Sequence, residues 1–272
     1  MLQRLMRIDR RLIYLAIAAV VAAPFVFNWT LPLGSASPRT RAIYRHIEAL
    51  PPRSAVMICF DYGPASMPEL HPMGIALARH AFSRKLRVIG LTLGPEGLIM
   101  AQNALSAAAK DYGAREGEDW VNLGYKPGFI SVILGMGTDI PKVFRTDHRG
   151  VPIAELRAMD GIRTYADLGL VVELTASPAI NDWVVFAQSR FHAKLAGGVT
   201  AVMATDMYPY LQAGQLIGLL NGLKGAAEYE ALIRHPGLAS LGMTSQSFAH
   251  VAILVFVVLG NIGYFATRRR RR

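Results

Sequence analysis

Two long apolar runs bracket the chain, and between them short β-branched runs alternate with longer segments of helical period. The first run, residues 12–27, is interrupted only by Tyr14 and Pro24, and it reaches residue 33 through Asn28, Trp29 and Thr30. The second, residues 248–266, carries no formal charge and leads directly into arginines. A hydrocarbon core is crossed by roughly 20 apolar residues at about 1.5 Å each, so the pattern predicts transmembrane helices over 12–33 and 248–266. For the first run a cleaved signal peptide is the alternative, with Gly34, Ser35 and Ala36 as small residues at the cut.

The interior pattern predicts a linker and short helix over 34–54, then strands over 55–63, 86–94, 120–125, 168–177 and 198–206. Helices are expected over 69–84, from Pro95 and Glu96 to about 110, over 129–137, over 178–191 and from about 208 to 233, with 138–167 irregular. Strands that are apolar without alternation are buried on both faces, which is the signature of a parallel sheet covered by helices. The expected fold class is therefore α/β: a doubly wound, mainly parallel five-stranded sheet, Rossmann-like or flavodoxin-like, flanked by the terminal spans. By segment, 1–11 is a basic tail, 12–33 a span and 34–54 a linker with its helix. Residues 55–236 form the α/β domain, 237–247 a linker, 248–266 a span and 267–272 a second basic tail. Within the uncharged stretch 207–223, Gly214, Gly218 and Gly222 are spaced to form a small-residue ridge on one helix, a candidate packing or oligomerisation surface. Gln212, Gln215 and Asn221 argue against a third span there.

Charge changes the picture by fixing orientation. The 272 residues carry a net charge of +10. Arg4, Arg7, Arg10 and Arg11 stand against Asp9 alone in the first tail, and Arg268, Arg269, Arg270, Arg271 and Arg272 form the second. The folded middle is thus close to neutral, and the basic footprint of a nucleic-acid binder is missing. Positive residues beside a span stay in the cytoplasm, so both tails are expected inside and the domain periplasmic or extracellular, in the cell membrane.

Candidate chemistry is sparse. The single cysteine, Cys59, excludes an intramolecular disulfide and reads as a small buried hydrophobe, with no thiolate metal site. The first strand is followed by DYGPASMPE and not by a glycine fingerprint, and the common nucleotide, zinc-protease, nucleophile-elbow and redox motifs do not occur. No cofactor and no metal is expected. Ligands of open parallel sheets bind beyond the strands' carboxyl ends, where Asp61, Glu69, His71, Glu96, Tyr125, Lys126, Glu173 and Asp206 lie, with Thr92 and Thr175 beside them. With strand order 2-1-3-4-5, Asp61, Glu69, His71, Tyr125 and Lys126 would face one another, as an acid/base group or as oxygen ligands to a cation. Each also has a structural role: Asp61 and Asp206 as helix caps, Glu96 at a helix's positive end, Lys126 as a solvated loop charge. His80 and His192 are expected on helix surfaces, and Trp120 and Trp183 in the core or at its edge.

These features point to a non-catalytic structural or assembly component of a cell-envelope complex, possessing a candidate small-ligand site and partnered by the membrane and by its own copies or other envelope proteins. The alternative is a membrane-tethered hydrolase or transferase that uses the acidic residues at the strand ends.

Overall fold

A computed structural model describes residues 9–32 and 34–269, the side chains of 266–269 excepted. Arg4, Arg7, Arg270, Arg271 and Arg272 lie outside the described residues, as do the side chains of Arg268 and Arg269. The chain divides into two compact units, one of residues 1–32 and 240–272, the other of residues 33–239.

In the terminal unit, α1 (Arg10–Phe27) starts where the Asp9 carboxylate accepts a hydrogen bond from the backbone N–H of Arg11 at 2.9 Å. It ends at Asn28, which takes the left-handed conformation with φ 52°. Its partner is the 32-residue helix spanning Leu238–Arg269, which we number α10 because it is the last in the chain. Residues 238–247, expected as linker, extend that helix without a break. The Ser245 hydroxyl donates to the Val21 carbonyl, and the Leu31 N–H donates to the Thr244 hydroxyl at 2.9 Å. Both helices are long and apolar enough to cross a membrane. They leave large side chains exposed, among them Leu15, Val26, Phe27, Leu254, Val258 and Phe265.

The second unit is a six-stranded parallel sheet in the order β3-β2-β1-β4-β5-β6. The strands are β1 (Ala55–Asp61), β2 (Arg87–Thr92), β3 (Trp120–Tyr125), β4 (Leu168–Thr175), β5 (Leu195–Val199) and β6 (Leu219–Asn221). One face is covered by α2 (Pro38–Glu48), α3 (Met67–Ser83), α4 (Gly97–Tyr112) and α9 (Gly222–Leu232), with α3 lying between α4 and α9. On the other face lie α5 (Phe129–Met136), α6 (Ile140–Val143), three 3-10 turns, and α7 (Ala179–Trp183), which continues as a π-helical segment over Val184–Ser189. Strand alternation divides the core accordingly. Met57, Ile89, Val171 and Leu195 meet Trp183 and Ile133 on the second face, while Phe60 and Leu174 pack on Gly74 of α3 on the first.

Several expectations are corrected. The sheet has six strands, and the order 2-1-3-4-5 gives way to 3-2-1-4-5-6, because the irregular segment 138–167 carries the chain from the β3 edge back to β4 beside β1. The fifth strand is LAGGV, upstream of the expected 198–206. Its glycines hide it by composition but are required by contact: a Cβ on Gly198 would stand 2.4 Å from Leu174 Cδ2 and one on Gly197 2.6 Å from Ile180 Cδ1. The helix expected over 208–233 is instead α8 (Tyr208–Gln212), a turn, β6 and α9. Gly214 and Gly222 take positive φ (71° and 55°), and Gly218 sits against the Arg39 carbonyl of α2, so the three share no helix face. His80 is buried, because α3 has neighbours on both flanks; its ring lies 2.7 Å from the Tyr229 hydroxyl and 2.9 Å from Glu48. His192 follows the π-helical segment at φ 57°. Trp120 and Trp183 are core residues, as expected.

Candidate functional site

Strand order makes the seam between β1 and β4 the place where the sheet's connections diverge. In an open parallel sheet the crevice beyond the carboxyl ends at such a point is where ligands bind. Register sets the residues there: Cys59 pairs with Glu173 and Asp61 with Thr175. Because side chains alternate, Cys59, Asp61, Glu173 and Thr175 all project to the face that α7 and its π-helical continuation cover.

Among the described residues, Cys59, Asp61 and Glu173 bring one thiol and two carboxylate oxygens within 4.8 Å of one another. Asp61 is held by one oxygen. Its Oδ1 accepts from the N–H of Leu93 at 2.6 Å and of Gly94 at 3.2 Å. The Thr92 hydroxyl lies 3.0 Å from the same Oδ1 and 2.7 Å from the Gly94 carbonyl, so its one proton serves either. The other oxygen, Oδ2, is buried without a hydrogen-bond partner. Glu173 is fully buried, and its oxygens have no polar neighbour other than Cys59 and Asp61. Asn181 Oδ1 and Trp183 Nε1, both on α7, are likewise unpartnered.

The electrostatics follow from that enclosure. Burial, then the charge of Asp61, pushes the Glu173 carboxyl well above its ordinary range. Burial also raises Asp61, although its backbone donors oppose the shift. The Cys59 thiol is driven far up by burial and then by the two carboxylates. Two carboxylates and a thiol buried together are stable only if protons or a cation neutralise them.

The other sequence candidates are scattered around this centre. His71 is buried with Nδ1 3.0 Å from the Tyr62 hydroxyl, and burial lowers its pKa. Glu69, in the first turn of α3, accepts from the Ala201 N–H at 2.9 Å and ties the β5 loop to α3. Glu96 is exposed beside Gly63. Tyr125 and Lys126 end β3 at the sheet edge, two strands from β1, with the Lys126 N–H donating to the Thr92 carbonyl at 3.2 Å. Asp206 is exposed in a 3-10 turn, where the Thr205 hydroxyl lies 3.5 Å from it. The fold therefore joins Asp61 to Glu173 and separates both from Tyr125 and Lys126. Sequence reasoning passed over Cys59 as a member of this group. The signal was a Cys59-x-Asp61 pair on one strand face opposite a glutamate inside the apolar run LGLVVELT.

The carboxyl edge of the sheet has a second property. Met67, Ile99, Tyr125, Ile130 and Val202, in the segments following β1, β2, β3 and β5, are exposed; Ile99 and Val202 are 64% and 85% accessible. No protein-family model, curated protein or solved structure matches the chain.

Proposed function

We propose that the protein is a two-pass membrane protein whose α/β domain stands outside the cytoplasm as a non-catalytic assembly component of a cell-envelope complex. The observation that carries the reading is the pair of apolar helices at the two ends, whose exposed leucines, valines and phenylalanines need an apolar surrounding. Transfer of each such side chain out of water contributes on the order of 1.5–3 kcal/mol, so lipid is the favoured medium for both helices. Arginines at both ends favour cytoplasmic termini.

For assembly we draw on the exposed apolar residues of the segments at the strands' carboxyl ends, since exposed apolar surface is where a partner gains most by docking. The occupant we assign is a second copy of the chain, because an edge that meets itself about a two-fold axis is buried without any other component. In mild detergent the full-length chain is expected to run as a particle of at least twice 29.7 kDa of protein. Replacing Ile99 and Val202 with serine is expected to shift the particle towards the monomer while leaving the fold intact. A wild-type chain that is monomeric when gently extracted contradicts self-assembly, and a mixed particle replaces the second copy by another envelope protein.

The tethered hydrolase or transferase keeps one supporting observation, the approach of Asp61 to Glu173. An Asp61→Asn chain that folds and assembles normally yet abolishes a cellular phenotype would favour it over the assembly role.

A further inference from the structure

We infer that the β1/β4 crevice holds a divalent transition cation of the zinc class, ligated by the Cys59 thiolate and the carboxylates of Asp61 and Glu173. The inference is independent of anchoring and assembly.

Three observations converge on it. The three donor atoms lie within 4.8 Å of one another and come from two adjacent strands in register, so the sheet itself fixes their spacing. Glu173 is wholly buried, and apart from Cys59 and Asp61 themselves its carboxyl has no polar partner. Native proteins partner nearly all such groups, and each one left bare requires an explanation. Finally, Asp61 is oriented by the N–H groups of Leu93 and Gly94 on one oxygen while the other is bare. Backbone donors behind a ligating carboxylate are the usual support of a metal ligand.

The donor set selects the class of ion. A thiolate with two carboxylates is too soft for magnesium or calcium, which take oxygen ligands, and suits zinc and its neighbours. On binding, the thiol and whichever carboxyl the empty group holds protonated give up their protons to solvent, and the cation's two charges offset two of the three negative charges it collects. A lone cysteine excluded a thiolate cluster on the arithmetic of cysteines, but the fold supplies the remaining ligands as carboxylates.

The test uses the full-length chain in detergent, stripped with a chelator and titrated with Zn2+ against a chromophoric competitor, and in parallel with Co2+. One equivalent per chain is expected, with a sulfur-to-cobalt charge-transfer band in the Co2+ form. Cys59→Ala should abolish the band. Glu173→Gln keeps the side-chain shape, removes a buried charge and should lower Zn2+ affinity at least about ten-fold, the loss that even supporting residues of metal sites produce. At one Zn2+ concentration the melting temperature of the wild type should rise by more than that of Glu173→Gln. A folded wild type that takes up no zinc overturns the inference, as does affinity unchanged in both variants. Co2+ uptake without the sulfur band overturns the role of Cys59. A protonated-carboxyl infrared band that persists at neutral pH with Zn2+ present and vanishes in Glu173→Gln overturns that of Glu173.

Discussion

Replacing Gly97 with alanine tests how closely α4 must approach the crevice. Gly97 opens α4, and a Cβ there would lie 1.9 Å from the Phe60 carbonyl oxygen and 2.2 Å from the Thr92 hydroxyl. Neither neighbour can give way easily. The carbonyl belongs to the β1 backbone next to Asp61, and Thr92 is buried at the end of β2 beside the Asp61 carboxylate. Relief requires the first turn of α4 to move outward by more than about an ångström, and forcing extra atoms into packed interiors costs roughly 1–3 kcal/mol. Alanine's advantage over glycine in a helix returns only about 0.5–1 kcal/mol. At about 2–4 °C per kcal/mol for a domain of this size, the melting temperature should fall by several degrees. Gly94→Ala is the control, since nothing lies within 4 Å of its Cβ position and its φ is not positive. Thermal melts of the three chains in detergent, followed by circular dichroism, read the effect. If Gly97→Ala melts with the wild type or above Gly94→Ala, the close packing of α4 on β1 is refuted.

Other expectations follow from buried polar groups. Burial lowers the pKa of both His71 and His80, so the folded state holds them neutral while the unfolded chain protonates them near pH 6.5. Their contribution is fully present above that pH and is lost as the pH falls towards the folded values, by up to about 1.4 kcal/mol per pH unit for each ring. Denaturant titrations between pH 7 and 5.5 should therefore show a flatter profile for His71→Gln/His80→Gln than for the wild type, and identical slopes contradict it. Burial alone would raise the Glu228 carboxyl, but Lys224, the Thr40 hydroxyl at 2.8 Å and the Ser37 N–H at 3.1 Å together hold it below the usual range. Thr40→Val removes one donor and should cost about 1–3 kcal/mol in chemical denaturation, a penalty that Glu228→Gln in the same chain reduces. A Thr40→Val chain as stable as the wild type contradicts that network.

The sequence was legible where burial is uniform and opaque where contacts decide. The strand 120–125 coincides with β3, and 55–63 and 168–177 overshoot β1 and β4 by two residues each, because unbroken aliphatic runs reflect two buried faces. LAGGV escaped because glycines chosen for close approach to Leu174 and Ile180 carry no hydrophobic signal. A three-residue strand, β6, lies below any periodic pattern, so the stretch around it read as one helix. Strand order was likewise invisible: it depends on where 138–167 returns, and that irregular segment has no period to read. The candidate site was half legible for the same reason. Asp61 and Glu173 were both among the polar residues at the strands' carboxyl ends, but their pairing, and the admission of Cys59, required the β1/β4 register.

Two helices long and apolar enough to cross a membrane are proposed to display the α/β domain outside the cytoplasm. Asn103 is exposed on α4, while the only native cysteine is fully buried and silent towards bulky thiol reagents. An Asn103→Cys chain treated with a membrane-impermeant maleimide should therefore label in intact cells, or in spheroplasts where an outer membrane intervenes, whereas a cysteine appended after Arg272 labels only after lysis. Protection of Asn103→Cys until lysis, with labelling of the appended cysteine from outside, would contradict the account.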